Sequence, residues 1–257
     1  MSWREKWIAF TTLLVKEIRR FTRIWQQTLL PPAITITLYF VIFGTLIGPR
    51  IGVMEGFSYI EFVVPGLIML AVITNSFGNV VSSFFGSKFA GNIEELLVSP
   101  TPNYIILLGY VAGGVARGLT VGFTVTLLSL FFTKLHIQHL GITIGIVFLT
   151  SVLFALAGLI NAVFAKNFDD ISIIPTFVLT PLTYLGGVFY SMSLLPVFWQ
   201  KVSLLNPVLY MVNAFRYGLL GISDIDVVWA FFMLALFIVG LTVYALHLLR
   251  NGKNLRS

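Results

Sequence analysis

Side chains able to do chemistry are few in this chain and stand far apart. His136 and His139 are three residues apart, a spacing that puts two imidazoles on one helical face as metal ligands would be. No Cys, Asp or Glu lies beside them, so the pair lacks further ligands and no metal is expected. Asp169 and Asp170 are adjacent carboxylates in the polar stretch Lys166-Asn167-Phe168-Asp169-Asp170, which reads as a solvated turn or a helix cap rather than a catalytic pair. Glu94 and Glu95 sit together between apolar residues, and Arg117 lies within a long apolar run. No GxxxxGKS or GxxxxGKT phosphate loop occurs, so the chain has no such means of binding and hydrolysing ATP itself. HExxH, GxSxG and CxxC are equally absent. These residues do not assemble into an enzyme.

What must position them is a set of long apolar segments. Six stretches of roughly bilayer-spanning length cover residues 27–48, 61–82, 105–132, 142–164, 173–190 and 229–249. A helix needs about 20 apolar residues to cross a hydrocarbon core of ~30 Å. The composition agrees, with 58% hydrophobic, 15% aromatic and 10% charged residues, too little charge to cover a soluble domain of this size. The spans leave no stretch of this sequence for a separate soluble domain, so residues 1–257 read as a single membrane domain. The net charge of +6 is carried next to the spans and suits anionic lipid headgroups rather than nucleic acid. There are no cysteines, and residues 1–25 hold six Lys/Arg with no uninterrupted apolar core, so no signal peptide is expected.

Orientation follows from the basic residues. Eleven Lys/Arg fall on the side that holds both termini (Lys88, Lys166, six within 1–25, and Arg250, Lys253 and Arg256 in the tail) against four on the other side. The positive-inside rule places both ends in the cytoplasm, as an even number of spans requires.

Residues 3–25 place Trp3, Trp7, Phe10, Leu14, Ile18, Phe21 and Trp25 at alternating steps of three and four, one face of a helix. With Lys and Arg mostly elsewhere on the wheel, this basic amphipathic segment reads as lying in the cytoplasmic membrane interface, or as packed on a soluble partner. Pro31-Pro32 marks the start of the first span. In the second span, Thr74, Asn75, Ser76 and Asn79 either hydrogen-bond neighbouring helices or line a pathway.

The cytoplasmic loop 83–103 contains a short helix over 92–99, with Asn92 as its cap and Glu95 closing a capping-box-like pair. Ile93, Leu96 and Leu97 share a face, Glu94 and Glu95 occupy the first turn, and Pro100 and Pro102 stop the helix. In the third span Gly109, Gly113 (with Gly114), Gly118 and Gly122 form a stripe that lets another helix approach closely. Arg117 beside it either pairs or faces a polar cavity, or snorkels to the cytoplasmic interface. Residues 190–228 are too apolar for a loop but are broken by Pro196, Pro207 and glycines. They read as re-entrant or interfacial helices on the external face, with Trp199 and Tyr210 at interface depth.

Four segments together resemble the permease subunit of bacterial ABC-2 type exporters. They are 15-VKEIRRFTRIWQQTLLPP-32, 92-NIEELLVSPTP-102, 166-KNFDDISIIPTFVLTPLTYLGGVFYS-191 and 204-LLNPVLYMVNAFRYG-218, with Pro207 and Arg216 as the fixed points of the last. Val208 departs from the larger residue expected after that proline. The resemblance implies an all-α integral membrane protein of six transmembrane helices, with an N-terminal cytoplasmic interfacial helix (1–25) and external re-entrant helices (191–222) before the last span. It implies a coupling helix at 92–99 and a minor coupling point at Asp169 and Asp170. It further implies a dimer of this chain in the bacterial inner membrane, driven by two copies of a separate ABC ATPase. ATP and Mg²⁺ would bind on that partner, and no cofactor on this chain. The rival classes are a self-sufficient channel or secondary carrier, a membrane scaffold and an intramembrane enzyme. The first would need several buried acids or pore-lining charges, and Glu61 and Arg117 are the only clear candidates.

Overall fold

The computed structural model describes residues 1–252 and is almost entirely helical. Helix α1 (Trp3–Arg23) begins with a true capping box: the Glu5 amide donates to Ser2 Oγ, and the Ser2 amide to the Glu5 carboxylate at 2.7 Å. Ile24 breaks the helical path, and α2 then runs over Trp25–Ile51. Pro31 and Pro32 therefore lie inside α2 rather than at its start, a difference from the sequence reading. Proline is tolerated at such depth where side chains and local helix adjustments satisfy the freed backbone. Farther along, α2 widens into a π-helical turn at Ile42–Ile47, where Thr45 Oγ1 donates to the Val41 carbonyl at 2.6 Å.

A small hairpin that the sequence did not announce follows, β1 (Val53–Met54) against β2 (Phe57–Ser58). Glu55 and Gly56 make its tight turn, both with positive φ. Helix α3 (Tyr59–Phe89) leads through Gly91 to the short α4 (Asn92–Val98), and Pro100 and Pro102 lead into α5 (Asn103–Ser129). Residues 83–89 of the expected 83–103 loop are thus an extension of α3. Helix α6 (Leu140–Phe164) is followed by α7, which passes from Asp170–Ile174 through a π-helical turn at Pro175–Leu179 to Thr180–Tyr184. Beyond a turn at Gly187 come α8 (Val197–Ser203), α9 (Pro207–Leu220) and α10 (Val227–Asn251).

Five helices are long and apolar enough to cross a bilayer: α2, α3, α5, α6 and α10. The stretch 173–190, expected as a further span, is helical only to Tyr184, and α7 is shorter than those five. Of the basic tail counted for orientation, Lys253 and Arg256 lie outside the described residues.

Helix α3 sits at the centre, packed by α5 and α6 along its length and by α2 and α9 toward the hairpin end. Outer helices α2 and α10 bury little and turn Ile34, Leu38 and Leu46, and Phe232, Leu236 and Val239, away from the bundle. Those faces suit lipid or another apolar surface. Helices approach closely where side chains are smallest. At Gly158 in α6 the backbone of α3 passes so near that a Cβ would stand 2.5 Å from the Phe77 carbonyl oxygen.

Because a carbonyl in a helix cannot step aside, Gly158→Ala should lower stability by about 1–3 kcal/mol. Gly86→Ala, where a Cβ meets open space, should leave the melting temperature in detergent unchanged or raised. Equal melting of both variants would refute tight α3–α6 contact.

Candidate coupling surface and intramembrane charges

At the end of the bundle away from the hairpin, α4 is held as a step between α3 and α5. Its cap is Gly91 in the left-handed conformation (φ 77°), not Asn92, which stands inside the first turn. No side chain closes a capping box there, because a left-handed N-terminal residue turns the chain before Asn92 can reach back. Ile93 is 1% exposed and joins a cluster with Phe84, Phe85 and Val163, while Leu96 and Leu97 pack at its margin. Asn92, Glu94 and Glu95 face outward, as does Pro100. Ser99 Oγ donates to the Leu96 carbonyl and accepts from the Thr101 amide, fixing the exit before the prolines.

The 166–171 turn is fastened to the same place. Asp170 accepts from the Lys166 amide at 2.8 Å, and Asn167 Oδ1 accepts from the Asp170 amide at 2.8 Å, so Asn167 and Asp170 close the turn, while the cap of α7 is Asp169. Asp169 points outward. Phe168 packs edge-on against Phe85 and Phe89 of α3, ring centroids 5.0 Å away in each case. Lys88 closes the assembly by donating to the Val163 and Ala165 carbonyls, 2.7 Å each, at the end of α6.

The glycine stripe of α5 serves two partners rather than one. Gly109 and Gly113 receive Leu13 and Glu17 of α1, whereas Gly118 and Gly122 receive Ser76 and Val72 of α3. Helix α1 is thereby packed on the bundle by a face rotated from the aromatic one. Leu13, Glu17 and Phe21 turn inward, while Trp3, Trp7 and Trp25 project outward, Trp3 82% exposed. Glu17 is 1% exposed, accepts from Ser83 Oγ at 2.6 Å and faces Arg20 Nε at 3.4 Å. Arg20 Nη2 donates to both oxygens of Asn79, each at 2.8 Å. Deeper in, Arg117 Nη2 donates to Asn75 Oδ1 at 3.1 Å, and its guanidinium borders a cleft of about 380 Å³ between α2 and α3. Of the polar run of α3, Asn75 and Asn79 thus bond to other helices, while Thr74 bonds back to the Leu70 carbonyl of its own helix and the buried Ser76 Oγ has no hydrogen-bond partner.

At the other end Pro207 occupies the first turn of α9, capped by Asn206, whose Oδ1 accepts from the Val208 amide. Arg216 is 1% exposed and bonded on every side. It donates to the Gly187 carbonyl at 2.6 Å and to Asn213 Oδ1 at 3.3 Å, and lies 3.9 Å over the Phe62 ring. Above it, Glu55 of the hairpin turn accepts from Ser191 and Ser193, and Asp224 from Ser191 Oγ and the Met192 amide. His139 stacks on Tyr217 with centroids 4.9 Å apart, and among the described residues no cluster of metal-ligating side chains forms. Trp199 is half-exposed at this end, and Tyr210 donates to the Leu204 carbonyl.

The profile of the ABC-2 type transporter family matches residues 8–220, from the first turns of α1 to the last of α9. The chain belongs to the ABC-2 type transporter family. It is 60% identical over 98% of both chains to the Inner membrane transport permease YadH of Escherichia coli K12, and equally so to that of Shigella flexneri. Nodulation protein J of Rhizobium leguminosarum bv. viciae is 22% identical over 83% of each chain. In this ABC-2 chain α4, the 166–171 turn, Arg117 and Arg216 all fall inside the matched region, and α10 falls outside it.

Sequence reasoning missed the residues that only packing reveals: Glu17, Lys88, Asn213 and the Glu55–Asp224 pair. Glu17 carried one usable signal, its place midway between Leu13 and Phe21 at four-residue spacing. Removing the Arg216 guanidinium would strand the Gly187 carbonyl and Asn213 in the interior. Arg216→Leu should cost about 3 kcal/mol or more, with Arg216→Lys recovering part of the loss. Folded yield and melting temperature in detergent measure it, and a wild-type value for the leucine variant would show that Arg216 does not hold the Gly187 turn in place.

Proposed function

We propose that this chain is the membrane-spanning permease subunit of an ATP-powered exporter. Two copies would enclose the pathway, and two separate ABC ATPases would drive it. The observation that carries this reading is the mounting of α4. A seven-residue helix without further purpose would fray on the surface, yet this one is anchored by Ile93, turned at Gly91 and stopped by the rigid Pro100. Its Glu94 and Glu95 face away from the bundle, toward where a soluble partner would seat. Family membership supports the same role, and the name of the 60% identical relatives supports an inner-membrane location.

In this mechanism ATP closes the two partner subunits, with Mg²⁺ held there, and their surface pushes on α4. Displacement passes to α3 through the Gly91 turn and to α5 through the proline-rigid exit. The Phe168 contact and the Lys88 bonds carry part of it into α6 and α7. Asp169, exposed on the adjoining turn, is the minor contact. The short α7 completes a sixth crossing, so that both termini lie in the cytoplasm, with 191–222 dipping back from the external face. Trp3, Trp7 and Trp25 hold α1 at the cytoplasmic interface. The close α1–α5 and α3–α5 contacts at the glycines permit sliding or rocking of α5.

Glu94→Lys with Glu95→Lys should abolish coupled transport while membrane insertion and melting temperature stay at wild-type values. Co-expression with the candidate ATPase measures it: the wild type is expected to co-elute as a two-plus-two complex that hydrolyses ATP, and the double variant to lose the partner. A permease that stays alone and transports in liposomes without ATP would replace this reading with a channel or carrier.

A further inference from the structure

Two arginines lie in the apolar bundle, and they are treated differently. Arg216 has a carbonyl, an amide oxygen and an aromatic face around it, and the cavity of about 760 Å³ that it borders also presents the carboxylates Glu55, Asp224 and Asp226. Arg117 has one protein partner, Asn75 Oδ1, and its Nε is buried without any. Among the described residues both ion pairs within 4.0 Å use Glu17, and neither reaches Arg117. Glu17 is already committed to Ser83 and Arg20. The positive charge of Arg117, roughly half-way along α5, is thus uncompensated by protein. A charge at that depth is expensive unless something of opposite sign meets it.

The space beside it has the shape to admit such a group. The Arg117 cleft of about 380 Å³ also presents Gln27, Thr35 and Thr74. It adjoins a second cavity of about 440 Å³, with Tyr39, Leu70 and Thr74 common to both. That second cavity is mainly apolar, walled by Phe77, Leu179, Val188 and Phe189. One end is therefore cationic and hydrogen-bonding, the other greasy and aromatic.

We propose that this double cleft is the cargo site, and that it takes an anionic amphiphile. A phosphate or carboxylate headgroup meets Arg117, and the apolar body lies against Phe77 and Phe189. The assignment rests on the reading of the chain as a permease and gives that reading a substrate class. The guanidinium fork matches an oxyanion geometrically, and the same charge rejects cationic amphiphiles by repulsion. Thr74 stands at the junction of head and body, on a helix face that is open to the cleft.

The test is direct binding to the full chain in phosphatidylcholine nanodiscs, without ATPase or nucleotide. The probe is fluorescent dansyl-undecanoic acid, with dodecyl phosphate and dodecyltrimethylammonium as competitors. Dodecyl phosphate should displace the probe, and the cationic competitor should be weaker by about tenfold or more. Arg117→Gln should weaken probe binding by about tenfold or more, with Arg117→Lys closer to wild type. Thr74→Phe fills the junction while leaving the Arg117–Asn75 bond intact, and should weaken binding similarly. If Arg117→Gln fails to fold, judged by its melting curve, Thr74→Phe decides. Probe affinity unchanged in Thr74→Phe, or in a folded Arg117→Gln, overturns the proposal, as does equal competition by the cation. Replacing part of the phosphatidylcholine with phosphatidylglycerol separates two sources of the same chemistry. Competition identifies a bilayer lipid as ligand, and none assigns the site to a non-lipid amphiphile. Because no ATPase is present, failure here leaves the transport reading standing, and failure to capture an ATPase leaves the cleft standing.

Discussion

Everything in this bundle is arranged around the need to satisfy polar groups on a helix that never meets water along most of its length. Helix α3 is enclosed by its neighbours, and it carries Asn75, Asn79, Ser83 and Lys88 on successive turns. In hydrocarbon an unpaired polar side chain costs several kcal/mol. Each of these therefore reaches a different element: Asn75 meets Arg117 of α5, Asn79 meets Arg20 of α1, Ser83 meets Glu17, and Lys88 meets the end of α6. The helix acts as a spine whose hydrogen bonds fix the positions of the others.

That arrangement explains why α1 belongs to the bundle rather than only to the lipid surface. A carboxylate at Glu17 is tolerable inside only because Ser83 and Arg20 complete it, and both can reach it only because Gly113 lets the α1 backbone come close. The tryptophans are then free to face outward. The same economy governs the end that carries α4, where Phe168, Ile93 and Lys88 meet at the end of α3. At the far end Arg216 performs the equivalent service for the turn at Gly187, and the hairpin's Glu55 reaches across to Ser191 and Ser193.

Arg117 stands out against this pattern of completion. It is left with one amide oxygen, a buried Nε without a hydrogen-bond partner and an open cleft.

Much was legible in the sequence by itself, because the bilayer imposes a length and a polarity that composition cannot hide. Five of the six apolar stretches are long helices, the 92–98 helix stands where its Ile93, Leu96 and Leu97 pattern and its flanking prolines put it, and the glycines of α5 do mark close helix approach. The family followed from the same residues. Tertiary structure decided what periodicity is blind to. It turned Leu13, Glu17 and Phe21 of α1 toward the bundle rather than the tryptophans, because the neighbour it packs on is supplied by α5 glycines far away in the chain. It moved the α4 cap from Asn92 to Gly91, since a left-handed φ depends on where the chain must go next. It ended α7 at Tyr184 and gave Arg117 its cleft, both set by contacts between segments distant in the chain. Local sequence encodes which residues leave water; only the assembled helices determine which of them find a partner when they do.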